Sequence, residues 1–174
     1  MQSKLIYMYS RKIAQFLFVI FFIFFGVSFG NAITFDEWLG HNPVNVNLLE
    51  FKQLPGYCQC KMYYHHQRGQ EAKKSRKNQE WQIAFGSDYA HLHHYCWGLV
   101  YLSRARSAQL KDSERKFLVQ KAIGNFDYVI KQAASRSPFL WMYHQKKGEA
   151  LLLVHKNAEA QMEFKKAKLY KKNK

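Results

Sequence analysis

Acidic residues are scarce: 12 Asp and Glu stand against 27 Lys and Arg in 174 residues. Most of these acids fall on polar helix faces or within a basic run, which leaves little for paired acid–base catalysis. Catalytic signatures are missing as well. There is no Gly-x-Ser-x-Gly, no phosphate loop and no His-Glu-x-x-His. Cys58-Gln59-Cys60-Lys61 is not the Cys-x-x-Cys-His of a haem attachment. No β-alternation appears downstream of Asp88. The length suits one domain of roughly 100–150 residues with a short appendage and excludes a two-domain enzyme. The expectation is a protein that is not an enzyme and has no cofactor.

Hydrophobic residues are plentiful, at 48%, but unevenly spread. Ile13 to Gly30 holds no charge and one amide, Gln15; Lys4, Arg11 and Lys12 precede it, and Gly30-Asn31-Ala32 follows as small-x-small. A basic start, an apolar run and small residues at −3 and −1 describe a signal peptide cleaved after Ala32. As a helix, the 18 residues rise about 27 Å, just short of a hydrocarbon core of about 30 Å. An uncleaved N-terminal anchor is therefore the second reading, with the positive end cytoplasmic. Both readings export the rest of the chain across an inner membrane, leaving it periplasmic or anchored facing the periplasm.

Residues 33–86 read as an irregular cap segment. Thr34 with Asp36 and Glu37 marks a short helix start, and Leu48–Leu54 another, stopped by Pro55-Gly56. Residues 65–80 contain almost nothing apolar and read as an exposed basic loop, in preference to a solvated helix. Residues 87–174 are consistently helical. Leu92, Tyr95, Cys96, Leu99, Tyr101, Leu102 and Ala105 recur at three- and four-residue spacing. Asp112 or Ser113 caps a second helix, Ser137-Pro138 starts a third running to Val154, and Ala158 to about Tyr170 forms a fourth. The fold class expected is all-α.

Ala160, Phe164 and Ala167 follow Gly148 at intervals of 12, 16 and 19. Ala122, Phe126 and Val129 repeat the second half of that spacing, and Trp97-Gly98 with Tyr101 matches its first half. On these residues, 140–172 resembles one tetratricopeptide (TPR) repeat, and the earlier pair resembles a degenerate copy lengthened by twelve residues between Gly98 and Ala122. LHHYCWGLVYLSRAR is also similar to segments of bacterial tetratricopeptide proteins of undefined role. Departures from the pattern are His144, Lys147 and Leu151 at the Trp, Leu and Tyr positions, and Lys172 where Pro is usual. The resemblance implies antiparallel helical hairpins, a short α-solenoid, packed through Gly98, Ala122, Phe126, Gly148, Ala160, Phe164 and Ala167. It implies a scaffold that binds a protein partner on its concave surface, where Tyr101, Arg104, His144 and Lys147 are the expected contacts. Two units fall short of the three that solenoids usually need, so the preceding segment caps the stack or a partner does.

Other readings stand beside the adaptor. Outside the cytoplasm a disulfide is allowed, and either Cys58 or Cys60 could bond Cys96 with one odd thiol left over, since the first two are too close to pair with each other; three buried free cysteines are the plain alternative. Alternatively Cys58, Cys60, His94 and Cys96 supply the four ligands of a zinc site or a redox centre. A third reading is a small subunit of a membrane complex, held by residues 13–30. The Lys-rich C-terminus, KKAKLYKKNK, suits anionic lipid or an acidic protein, and the export signal argues against nucleic acid.

Overall fold

Asn47 opens the first helix by a reciprocal cap: its side chain accepts from the Glu50 N–H at 2.9 Å, and the Glu50 carboxylate accepts from the Asn47 N–H at 3.0 Å. This helix, α1 (Leu48–Gln53), stops at Leu54, which is extended as a residue before proline must be. Pro55 then begins α2 (Gly56–His65), its carbonyl accepting from the Cys58 and Gln59 amides at 2.8 and 3.0 Å. The computed structural model describes residues 44–65 and 74–172. The expected signal or anchor at 1–32 and the helix start at Thr34 lie outside the described residues. Those that are described belong to one compact unit. Most are helical, joined by turns and short extended connections, with no strand among them. Among them no helix is long and apolar enough to cross a membrane.

The basic stretch expected as a loop is helical from residue 76. Ser75 accepts from the Asn78 N–H at 3.3 Å and caps α3 (Arg76–Phe85). Asn78 and Phe85 are buried and Trp81 is half-buried, one stripe at helical spacing. The helix escapes a hydropathy pattern because its first buried side chain is an amide. Gly86 ends it at φ 55°, where a β-carbon would be strained. A 3₁₀ turn over Gly86–Ala90 follows. Its buried Asp88 accepts from the Ser137 hydroxyl and from the Ala134 N–H at 3.3 Å, tying this turn to a loop far along the chain.

Four longer helices complete the chain: α4 (Leu92–Ala105), α5 (Asp112–Gln132), α6 (Leu140–Leu152) and α7 (Asn157–Lys172). At the start of α5 the Glu114 carboxylate accepts from the Lys111 N–H at 3.1 Å. In the turn before α6 the Ser137 hydroxyl accepts from the Phe139 N–H at 3.1 Å, and Phe139 opens the helix without a side-chain cap. The third helix begins at Leu140 rather than Pro138, and the fourth runs to Lys172.

These helices pair as two antiparallel hairpins with the same crossing. A β-carbon built on Gly98 of α4 would lie 2.5 Å from the Phe126 ring of α5, and one built on Gly148 of α6 would lie 2.5 Å from the Phe164 ring of α7. The backbone of one helix thus rests on an aromatic ring of the next, which only glycine permits. Ala122, Ala160 and Ala167 are buried beside these crossings. Tyr95 and Tyr143, at 5.1 Å between rings, join the hairpins to each other, and Phe126 lies 5.8 Å from Tyr95.

Several contacts fasten the N-terminal helices to this pair, among them the stacked Tyr57 and Tyr95 rings at 6.5 Å. Cys58 of α2 and Cys96 of α4 form a disulfide, with 5.4 Å between their Cα atoms. The Phe85 ring of α3 stacks on Phe139 at 4.1 Å. Arg104 of α4 reaches back to the chain around α1: its guanidinium donates to both Glu50 carboxylate oxygens, at 2.6 and 2.8 Å, and to the Val44 and Asn45 carbonyls, at 3.1 and 2.9 Å.

Candidate functional site: a groove beside the fourth helix

Leu54, Pro55 and Tyr57 form one wall of a groove of about 360 Å³, and α4 forms the other. Tyr95, Leu99 and Ser103 of α4, with Arg106 at its C-terminal cap, follow each other at intervals of four, four and three, as one helix face requires. Lys146 of α6 closes the far end. The groove exists because the disulfide and the Arg104 clamp hold α1 and α2 beside α4.

Its lining is aromatic and aliphatic, and its rim is charged. Arg106 and Lys146 share one carboxylate, with Arg106 Nη2 2.7 Å and Lys146 Nζ 2.8 Å from Glu149 Oε2. Burial pulls the Glu149 carboxyl up, but the hydrogen bonds and charge of Lys146 and Arg106 bring it below the usual carboxylate range. Two cations against one anion leave that end of the rim positive. Burial raises both the Tyr57 and the Tyr95 hydroxyls, so both stay protonated, and the two hydroxyls hydrogen-bond each other.

The residues expected at a partner surface occupy other roles. Arg104 is spent on Glu50 and two backbone carbonyls, and Glu50 is held below its ordinary value first by the hydrogen bond from Arg104. His144 is buried, its Nδ1 2.6 Å from Glu163 Oε2 and its ring stacked on Tyr170 at 5.4 Å. Lys147 lies 2.7 Å from Asp127 and 3.3 Å from Glu163. These three side chains hold helices together. Tyr101 is half-buried on α4 and does not line the groove. Helical spacing alone does not reveal which polar side chains meet a carboxylate from another helix. Tyr57, Ser103 and Arg106 carried no separate signal, whereas Tyr95 and Leu99 were legible only as apolar positions.

The four candidate metal ligands are not brought together as ligands. The disulfide consumes Cys58 and Cys96, whose sulfurs are then no longer thiolates. Cys60, two residues on and so turned to another side of α2, is a buried free thiol that donates to Asn78 Oδ1 at 3.8 Å. Burial pushes its pKa up. His94 Nδ1 lies 3.0 Å from Asn125 Oδ1, and the ring sits 3.8 Å from that of Tyr128. Among the described residues no group of three or more His, Cys, Asp or Glu is placed to hold a metal. The metal reading of Cys58, Cys60, His94 and Cys96 is corrected accordingly.

No family model, curated protein or solved structure matches the chain. The groove must therefore be interpreted from its own chemistry.

Proposed function

We propose that this chain is a non-catalytic adaptor of the cell envelope, a short TPR-type solenoid that holds a segment of a partner protein in the groove beside α4. The observation that carries the proposal is the groove itself. It combines an apolar floor that includes Tyr57 and Tyr95 with a rim on which Arg106 and Lys146 share Glu149, while the groove's own acid, Glu50, is already paired with Arg104. Tyrosine and arginine are the residue types most enriched where proteins bind each other tightly. Such a groove fits a peptide with an apolar anchor followed by a carboxylate.

Two further features support the reading. The Gly98–Phe126 and Gly148–Phe164 crossings repeat one packing solution in successive hairpins, as a solenoid does. The Cys58–Cys96 disulfide suits an oxidising compartment, in keeping with export directed by residues 1–32. The N-terminal helices then serve as the cap that two repeats need, and they supply one wall of the binding site.

The test is site-specific photocrosslinking in the cells that make the protein. A photoreactive phenylalanine at Ser103 should give a discrete adduct that disappears with Leu99→Asp, and the same group at Lys131 on exposed α5 surface should give none. Equal adduct patterns from positions 103 and 131, or none from 103, would reject the groove as the partner site.

A further inference from the structure

The last helix, α7, buries Ala160, Glu163 and Ala167 against the rest of the fold, and its opposite side is left exposed. That side carries Met162, 55% exposed, and Leu169, 58% exposed, seven residues apart and so on one line of the helix. Lys165, Lys168 and Lys172 are exposed beside them. The remaining cations of the helix are used internally. Lys166 Nζ is 3.0 Å from Glu163, and Lys171 Nζ sits 5.3 Å over the Trp141 ring. The acids are withdrawn too, since Glu163 is buried and Glu159 pairs with Lys156 at 3.0 Å. What faces outward is an apolar line with a lysine border.

The size and sign of this face select its occupant. A stable protein interface needs about 800 Å² from each partner, well beyond what two side chains supply. A second copy is disfavoured because α7 against α7 sets Lys165, Lys168 and Lys172 against their own counterparts. A lipid surface has neither problem. Anionic headgroups meet the ammonium groups, the flexible lysine stems lie along the acyl boundary, and Met162 and Leu169 reach just beneath it. We propose that the outer face of α7, Met162 and Leu169 bordered by Lys165, Lys168 and Lys172, docks on an anionic phospholipid surface. This contact is independent of the groove beside α4 and of whatever fills it.

Each lysine near such a surface contributes roughly fivefold to partitioning, so removing three weakens it by roughly a hundredfold. The test uses the full chain with an environment-sensitive fluorophore on Ala158→Cys, in a Cys60→Ala background, so that the signal reports α7 and not attachment through residues 13–30. The vesicles are phosphatidylcholine alone or a 7:3 mixture with phosphatidylglycerol. At 0.1 M salt the mixed vesicles should shift the emission to shorter wavelength and the neutral vesicles should not. Raising salt to 1 M shortens the screening length from about 10 Å to about 3 Å and should reverse most of the shift. Lys165→Gln, Lys168→Gln and Lys172→Gln together should raise the lipid concentration required by roughly a hundredfold, with the helical circular dichroism unchanged. A fluorophore that stays in water with both vesicle types would overturn the proposal and point to an acidic protein instead. A salt-insensitive shift with neutral vesicles would overturn it as well, because the lysines would then play no part.

Discussion

Three glycines inside long helices provide a test of the hairpin crossings. Glycine in a helix interior costs about 1 kcal/mol relative to alanine, so Gly→Ala stabilises wherever the methyl group finds room. At Gly124 of α5 a β-carbon meets nothing within 4 Å, and Gly124→Ala should raise stability by about 0.5–1 kcal/mol. At Gly98 the same methyl lands 2.5 Å from Cε1 and 2.8 Å from Cδ1 of Phe126, a ring with no exposed surface and no direction in which to retreat. Overpacking of this kind costs about 1–3 kcal/mol, more than the helix gains. Gly98→Ala should therefore lose about 1–2 kcal/mol. Gly148→Ala should fall between the two, because the Phe164 ring it strikes at 2.5 Å is half-exposed and gives way outward. Urea unfolding with the disulfide intact reads all three. The midpoints of Gly124→Ala and Gly98→Ala should differ by about 1 M for a slope of about 2 kcal/mol per M. Pairing Gly98→Ala with Phe126→Leu should recover part of the loss, a coupling that independent sites do not show. If Gly98→Ala were to stabilise as Gly124→Ala does, the close crossing of α4 and α5 would be refuted.

The Cys58–Cys96 bond closes a loop with a sequence separation of 38 residues. By chain entropy it should contribute about 4 kcal/mol, so Cys58→Ser with Cys96→Ser should lower the unfolding free energy by about that amount. An unchanged urea midpoint would show that the bond does not brace the fold. Glu163 gives a pH signature. Burial raises its pKa, and the hydrogen bonds from His144 and Lys166 with the charge of Lys147 more than reverse this, leaving it lowered. A lowered carboxylate stabilises the fold above its unfolded value near 4.3, and that contribution drains away as pH falls through the folded value. Glu163→Gln should cost about 3 kcal/mol at pH 7, and the gap to the parent protein should close below about pH 4. A gap that is constant from pH 7 to pH 3 would contradict the network.

The hairpins were legible in the sequence because they rest on local signals. Gly148, Ala160, Phe164 and Ala167 keep their spacing whether or not anything else is known, and Asp112 and Pro138 lie at or within two residues of the observed helix starts. The arrangement of α1 to α3 was not legible in the same way. Arg76, Lys77, Asn78, Gln79 and Glu80 form a helix although none is apolar, because Ser75 caps it and Asn78 is buried through a hydrogen bond from Tyr89 at 2.6 Å. The site depended on that arrangement. Its two walls come from segments that the disulfide and Arg104 bring side by side, and what distinguishes Cys58 from Cys60 is the course of α2, which turns Cys58 toward α4.

That choice bears on how the chain matures. Three thiols allow three single pairings, and the two competing for Cys96 lie two residues apart, roughly 200° around α2. A bond from Cys60 would roll the helix over, bringing Met62, which shares the Cys58 face, out into water. It would also strip Asn78 of its thiol neighbour. The mispaired form would leave Cys58 as the odd thiol on a helix turned out of its packing, while the correctly paired form seals Cys60 inside the protein. Burial of the odd cysteine thus acts as a ratchet on oxidation: once the right bond has formed, the reagent needed to undo it from within the chain is locked away.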